Sequence, residues 1–210
     1  MFKKFKIPDA TIGRLTAYSR FLKEAEEKGI STVSSQNIAE ATGVTPAQVR
    51  KDLAYFGEFG TRGVGYNPKE LYNYIMKILG LDKKWNVAIF GAGNLGTALS
   101  QYRGFLERGF EIVRMFDTDP EKVGKKLNDI DIFHLDELKE KAKELNIELA
   151  IVAVPAQAAQ EVVNMIVEAG IRGIINFAPV NIFVPDNIVL RRVDLASQLE
   201  YLTYYLGENR

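Results

Sequence analysis

Apolar residues follow one pattern before about residue 82 and another after it. In the first stretch they recur at helical spacing; in the second, short unbroken apolar runs alternate with helical stripes. From Thr11 to Lys28, Ile12, Leu15, Leu22 and Ala25 share a helical face, opened by Pro8 and closed by Gly29. Ser34 or Ser35 can cap a second, short helix through Ala41, which Gly43 ends. Thr45-Pro46-Ala47-Gln48 supplies a capping-box threonine, a proline at the first helical position and a glutamine at the third, and predicts a third helix with Val49, Leu53 and Phe56 inward. Pro68 to Leu81 reads as a fourth helix, and residues 80–84 as a linker. The second stretch predicts strands at Val87–Phe90, Ile112–Phe116, Ile130–Phe133, Leu149–Val154, Ile174–Asn176 and Ile188–Val193. Helices are expected from about Asn94 to Tyr102, Asp136 to Leu145 and Gln157 to Ala169, and at the C-terminus. Alternation of this kind predicts a parallel α/β sheet of Rossmann type. The expected organisation is a helical domain over 1–82, the sheet domain over 83–193 and a terminal helix over 194–210.

Chemistry concentrates where the first strand ends. Gly91, Gly93 and Gly96 have the spacing of a dinucleotide-binding turn: one for the tight turn, one for close approach of backbone to a pyrophosphate, one for helix-on-strand packing. Residues 91–96, with Ala92, Asn94 and Leu95 between the glycines, are therefore candidate cofactor contacts. Asp117 lies 21 residues after Gly96 at the end of the second strand, placed to accept from both ribose hydroxyls and to repel the 2′-phosphate of NADP. NAD+ or NADH is the expected ligand; a Rossmann-like domain holding coenzyme A or a mononucleotide is the alternative. Pro155 and Phe177 follow later strands at their carboxyl ends, where open α/β sheets bind ligands, although either can be ordinary turn chemistry. His134 reads as a polar loop residue.

Composition removes other chemistries. With no Cys and one His, disulfides, thiol catalysis and a cysteine or zinc cluster are excluded, so no metal is expected. No apolar run approaches 18 residues and no export signal is visible, which predicts a cytoplasmic protein without a membrane span. The net charge of zero conceals an asymmetry: residues 1–84 carry 14 Lys/Arg against 9 Asp/Glu, residues 85–210 carry 13 against 18.

The basic part contains two helices separated by a short glycine-bearing turn, the helix-turn-helix pattern. With Val49, Leu53 and Phe56 inward, the third helix presents Ala47, Arg50, Lys51 and Ala54 outward, a flat basic face suited to a major groove, though also common on solvated helices. Gly57, Gly60, Gly63 and Gly65 interleave with Phe59, Thr61, Arg62, Val64 and Tyr66 like a hairpin wing whose Arg62 can enter a minor groove. The terminal stripe Leu195, Leu199, Leu202 and Leu206 needs a partner surface, which favours a homodimer contact.

Five stretches carry a family resemblance: Arg14-Leu15 with Tyr18, the helix Gln48 to Gly57, the wing Gly60 to Tyr66, Gly91 to Gly96, and Arg191 to Asp194. Together they resemble the Rex family of redox-sensing transcriptional repressors over nearly the whole chain. The resemblance implies a homodimer whose winged-helix domains bind operator DNA, through Gln48, Arg50, Lys51 and Arg62, with NAD+ permitting binding and NADH releasing it. It implies a terminal helix exchanged between subunits. It also marks Arg14, Tyr102 and Asp194 as a polar switch, Asp194 pairing with Arg14 in the DNA-binding form and accepting from Tyr102 in the NADH form. Competing readings are a small NAD-dependent dehydrogenase, for which no substrate domain or acid/base remains, and a winged-helix repressor sensing another nucleotide such as coenzyme A.

Overall fold

A computed structural model describes residues 7–61 and 63–207, in two compact units, Met1–Lys83 and Lys84–Arg210. Among the described residues the first holds four helices: α1 (Asp9–Glu27), α2 (Ser35–Thr42), α3 (Pro46–Ala54) and α4 (Pro68–Ile78). The starts of α2, α3 and α4 follow from side-chain caps, whereas α1 follows Pro8 without one. Ser34 and Asn37 form a reciprocal capping box at α2, Thr45 accepts from the Gln48 amide at α3, and Asn67 accepts from the Glu70 amide at α4. The buried stripe of α1 runs through Thr11, Leu15, Tyr18, Leu22 and Ala25, with Ile12 only at its margin. These residues meet Ile38, Val49, Leu53, Leu71 and Ile75 in one core. After α3 the glycine-rich segment folds back as a tight hairpin. Thr61 and Gly65 exchange both backbone hydrogen bonds at 3.0 Å, and Tyr66 pairs with Val33. A Cβ on Gly60 would lie 2.2 Å from the Gly65 carbonyl oxygen, so only glycine permits this closure. Arg62 lies outside the described residues.

The second unit holds β1 (Trp85–Phe90), α5 (Asn94–Ser100), α6 (Arg103–Leu106), β2 (Phe110–Asp117), β3 (Lys126–Leu127), β4 (Ile130–His134), α7 (Leu138–Glu144), β5 (Leu149–Val152), α8 (Ala156–Glu168), β6 (Gly173–Asn176), β7 (Val189–Arg192) and α9 (Leu195–Gly207). The seven strands lie in the order β3-β4-β2-β1-β5-β6-β7, all parallel except β3 against β4. Both faces of the central strands are buried, which is why they read as continuous apolar runs. Ala88, Phe90, Phe116 and Val152 point to α7 and α8; Val87, Ile89, Met115 and Ile151 point to the side of Leu99 and Phe105.

Several elements differ from expectation. The glycine-loop helix stops at Ser100, and Tyr102, expected at its end, instead lies at the N-cap position before α6, 57% exposed. The helix expected from Asp136 opens as a 3-10 turn at Leu135–Glu137, capped by His134, whose Nδ1 accepts from the Asp136 amide at 3.3 Å. Strand β3 was not anticipated. It pairs with β4 across Asn128 and Asp129, which hold φ of 49° and 66°, the left-handed pair of a two-residue hairpin.

Helix α5 sits on β1 so closely that a Cβ on Gly96 would lie 1.9 Å from the Gly91 carbonyl oxygen. Gly96→Ala should therefore destabilise the second unit by about 1–3 kcal/mol, whereas Gly13→Ala, on an exposed helical site with nothing within 4 Å, should stabilise the first by about 0.5–1 kcal/mol. Urea unfolding of each variant beside the parent checks both signs.

Candidate functional site

Strand order reverses at β1. From it the chain proceeds outward through β2 and β4 on one side and β5, β6 and β7 on the other, leaving a crevice at the carboxyl ends of β1 and β5. The glycine turn enters this crevice. Gly91 has φ +98° and donates to the Phe116 carbonyl at 2.8 Å, and a Cβ there would meet the Ala153 carbonyl oxygen at 2.6 Å. Three strand ends are thus drawn against one turn. Gly93 has nothing within 4 Å of where a Cβ would be, so its missing side chain leaves open space rather than room for protein. It precedes Asn94 and Leu95, both exposed, and caps α5 without a side chain.

Asp117, at the end of β2, joins the same turn. Its Oδ2 accepts from the Ala92 amide at 2.7 Å and its Oδ1 from the Asp119 amide at 2.9 Å. Each oxygen keeps further acceptor capacity. Lys122 reaches Asp117 at 3.4 Å and Asp119 at 3.1 Å, and its hydrogen bond to Asp119 holds the ammonium above the ordinary lysine range. The sequence reading had missed this cation, and with it a partial offset to the repulsion expected of the acid. Pro155 caps α8 just beyond β5, and Phe177 follows β6, its amide bonded to the Val152 carbonyl at 2.9 Å. Buried Asn176 shapes that second loop, accepting from the Ala178 amide at 2.9 Å and donating to the Ala178 carbonyl at 3.1 Å. Residues 91–96, Asp117, Pro155 and Phe177 therefore come from adjacent strand ends.

On the first unit, α3 buries Val49, Asp52 and Leu53 and exposes Ala47, Arg50, Lys51 and Ala54. Between this helix and the hairpin lies a groove of about 740 Å³, bordered by Ser35, Arg50, Ala54, Glu58, Thr61 and Tyr66. Arg50 is steadied by a 2.9 Å bond to Ser35. Gln48 was expected to close a capping box with Thr45; its side chain instead donates to Asp52 at 2.8 Å.

Asp52 is the residue whose importance the sequence concealed. The carboxylate is fully buried and accepts five bonds: from Arg14 Nε at 2.6 Å and Nη2 at 2.7 Å, Tyr18 at 2.8 Å, Gln48 at 2.8 Å and Thr11 at 3.1 Å. Burial would push its carboxyl up, but hydrogen bonds from Arg14, then Tyr18, Gln48 and Thr11, outweigh it and hold the group below the usual carboxylate range. Burial, and then the bond to Asp52, lifts the Tyr18 phenol well above its ordinary value. The one available signal was spacing: Thr11, Arg14 and Tyr18 recur at i, i+3 and i+7 on α1. The other two switch candidates have partners of their own. Tyr102 packs edge-on against Phe105 at 5.0 Å, and Asp194 caps α9, accepting from the Ala196 and Ser197 amides at 3.0 and 3.1 Å.

Breaking the ion pair leaves a buried charge, and Arg14 is itself 26% exposed. Arg14→Met should accordingly cost about 3 kcal/mol at pH 7, the low end for a buried pair. Because the folded Asp52 pKa is depressed, its contribution is present above the unfolded value of about 4 and is lost as pH falls through the folded value. The deficit of the variant in urea unfolding should shrink correspondingly below about pH 4.

Comparison with known proteins identifies the family of the chain. Residues 6–54 match the family described as a putative DNA-binding protein N-terminus, and residues 82–180 match the CoA binding domain family. The crystal structure of RSP in complex with beta-NAD+ and operator DNA is 39% identical, covers 98% of this chain and 95% of its own, and superposes with a TM-score of 0.93. The RSP complex with beta-NADH is 37% identical, with coverages of 98% and 97% and a TM-score of 0.86. The redox-sensing transcriptional repressor Rex of Carboxydothermus hydrogenoformans is 58% identical over 96% of this chain and 97% of that protein. By that identity over almost the full length of both proteins, the chain belongs to the Rex family of redox-sensing transcriptional repressors.

Proposed function

We propose that this protein is a transcriptional repressor that senses the NADH/NAD+ ratio, holding operator DNA with NAD+ or without ligand and leaving it when NADH binds. One observation carries the reading: a single chain joins a capped helix with an exposed cationic face to a glycine-lined crevice closed by Asp117. The residues of the crevice fit a dinucleotide. Open space at Gly93 admits a pyrophosphate near residues 91–96, the spare acceptor capacity of Asp117 suits ribose hydroxyls, and Pro155 and Phe177, just beyond β5 and β6, would line the cofactor pocket. Arg50, Lys51 and Gln48 on α3, with Arg62 on the wing, contact the operator.

The assigned division is a DNA-binding domain over 1–82, a nucleotide domain over 83–193 and a dimerisation helix over 194–210. In the homodimer the terminal helix is exchanged. Leu195, Leu199, Leu202 and Leu206 of α9 are all exposed, and an apolar hollow of about 300 Å³ lies open beside Phe105, Leu149, Ile175 and Val189. Release follows when Asp194 exchanges Arg14 for the Tyr102 hydroxyl, two pairings favouring different arrangements of the chain. The same reading places the protein in the cytoplasm and assigns no metal to its function. Among the described residues no helix is long and apolar enough to cross a membrane.

A coenzyme A sensor is the second reading, favoured by the family match over residues 82–180. Titrating operator complexes with NAD+, NADH, NADPH and coenzyme A, beside a turnover assay, separates the two: release by NADH alone with no turnover supports the proposal, and release by coenzyme A alone overturns it.

Asp117→Ala removes a charged hydrogen-bond acceptor worth about 1.5–3 kcal/mol, so NADH affinity by calorimetry should fall roughly tenfold or more, and the variant should remain on DNA at NADH levels that release the parent. Arg50→Ala should cost about 1–3 kcal/mol of operator binding and relax preference at a single base pair, as read by fluorescence anisotropy against single-base operator variants.

A further inference from the structure

We propose that Asp52, a residue that cannot touch DNA, fixes the side-chain amide of Gln48 so that the recognition helix reads adenine. The inference rests on the DNA-binding reading and deepens it. Gln48 occupies the third position of α3, half-exposed beside Ala47, Arg50 and Lys51, and lies one turn before Asp52. Its Nε2 donates to Asp52 Oδ1 at 2.8 Å. The opposite amide orientation would set Oε1 against a carboxylate oxygen that only accepts. That oxygen cannot retreat, because Arg14 and Thr11 also donate to it, at 2.7 and 3.1 Å, while Tyr18 and Arg14 Nε hold the other oxygen. The carboxylate is buried, where hydrogen-bond mismatches are most costly.

One N–H of the Gln48 amide is thereby occupied, and Oε1 with the other N–H forms the free edge. In the major groove adenine alone offers a donor, N6–H, beside an acceptor, N7. Guanine presents two acceptors, cytosine a donor without that acceptor, and thymine an acceptor beside a methyl group. The free edge of Gln48 therefore matches adenine, and the match is set before DNA arrives.

The test is selection of bound duplexes from a randomised library by the full chain, with base frequencies read at every position. The parent should show an adenine preference of roughly tenfold or more at one position of each half-site. Gln48→Ala should flatten that position and leave the others. Gln48→Glu, repelled by Asp52 and carrying only acceptors, should move the preference to cytosine. Asp52→Asn offers both a donor and an acceptor and no longer dictates the amide orientation, so adenine preference there should fall at least about threefold. A merely structural Asp52 would instead weaken all positions alike. Full adenine preference in a folded Asp52→Asn protein, or no position altered by Gln48→Ala, overturns the proposal. Should Asp52→Asn fail to fold, retained adenine in Gln48→Glu overturns it and a shift to cytosine supports it. A parent that selects no sequence at all removes the DNA-binding reading itself, a result distinct from a selective parent indifferent to Gln48.

Discussion

The nucleotide unit depends on how closely α5 approaches the end of β1. With a would-be Cβ of Gly96 only 1.9 Å from the backbone oxygen of residue 91, the helix can start where it does only because residue 96 is glycine. That start places the Ala92 amide within 2.7 Å of Asp117, tying the turn to the end of β2. Gly91 in turn abuts the Ala153 carbonyl and so ties the turn to the loop after β5. One steric constraint thus assembles the three strand ends that form the crevice, and the crevice lies where reversal of strand order makes the connections diverge.

The DNA-binding unit has a different organiser. Helices α2, α3 and α4 are separately capped, but caps determine where helices begin and not how they pack. The buried Asp52 carboxylate does the latter for α1 and α3, drawing Thr11, Arg14 and Tyr18 from one helix and Gln48 from the other. A charge in that position is tolerable only when fully bonded, so removing one partner is far more damaging than its bond alone would suggest. Arg14 is a structural counter-ion in its own unit, and it acts on the same carboxylate that holds Gln48.

Much of this could be read from the residues. Ser34, Thr45, Pro46 and Asn67 mark helix starts because capping is a matter of a few neighbouring atoms. The apolar runs at 87–90 and 149–152 declared strands buried on both faces, and the glycine spacing declared the turn between them and the phosphate-binding helix. The outward face of α3 followed from the periodicity of its inward one. Even the missed β3 hairpin had a local mark in Asn128-Asp129, a dipeptide tolerant of positive φ.

The chain alone therefore determined element types, the glycine turn, the acid at 117 and the basic helix face, all of which depend on residues within a turn or two or on a repeating period. Tertiary structure decided which polar side chains became partners. Asp52 looked like one more acid in a charged helix until α1 closed over it, across sequence separations of 34 to 41 residues. Lys122 acquired meaning only when its loop returned to Asp117, and Tyr102 left the helix expected for it because α5 ended at Ser100. The pairings of Asp52 depend on where distant segments meet in space, and a hydrogen bond carries no periodicity by which the chain could announce it.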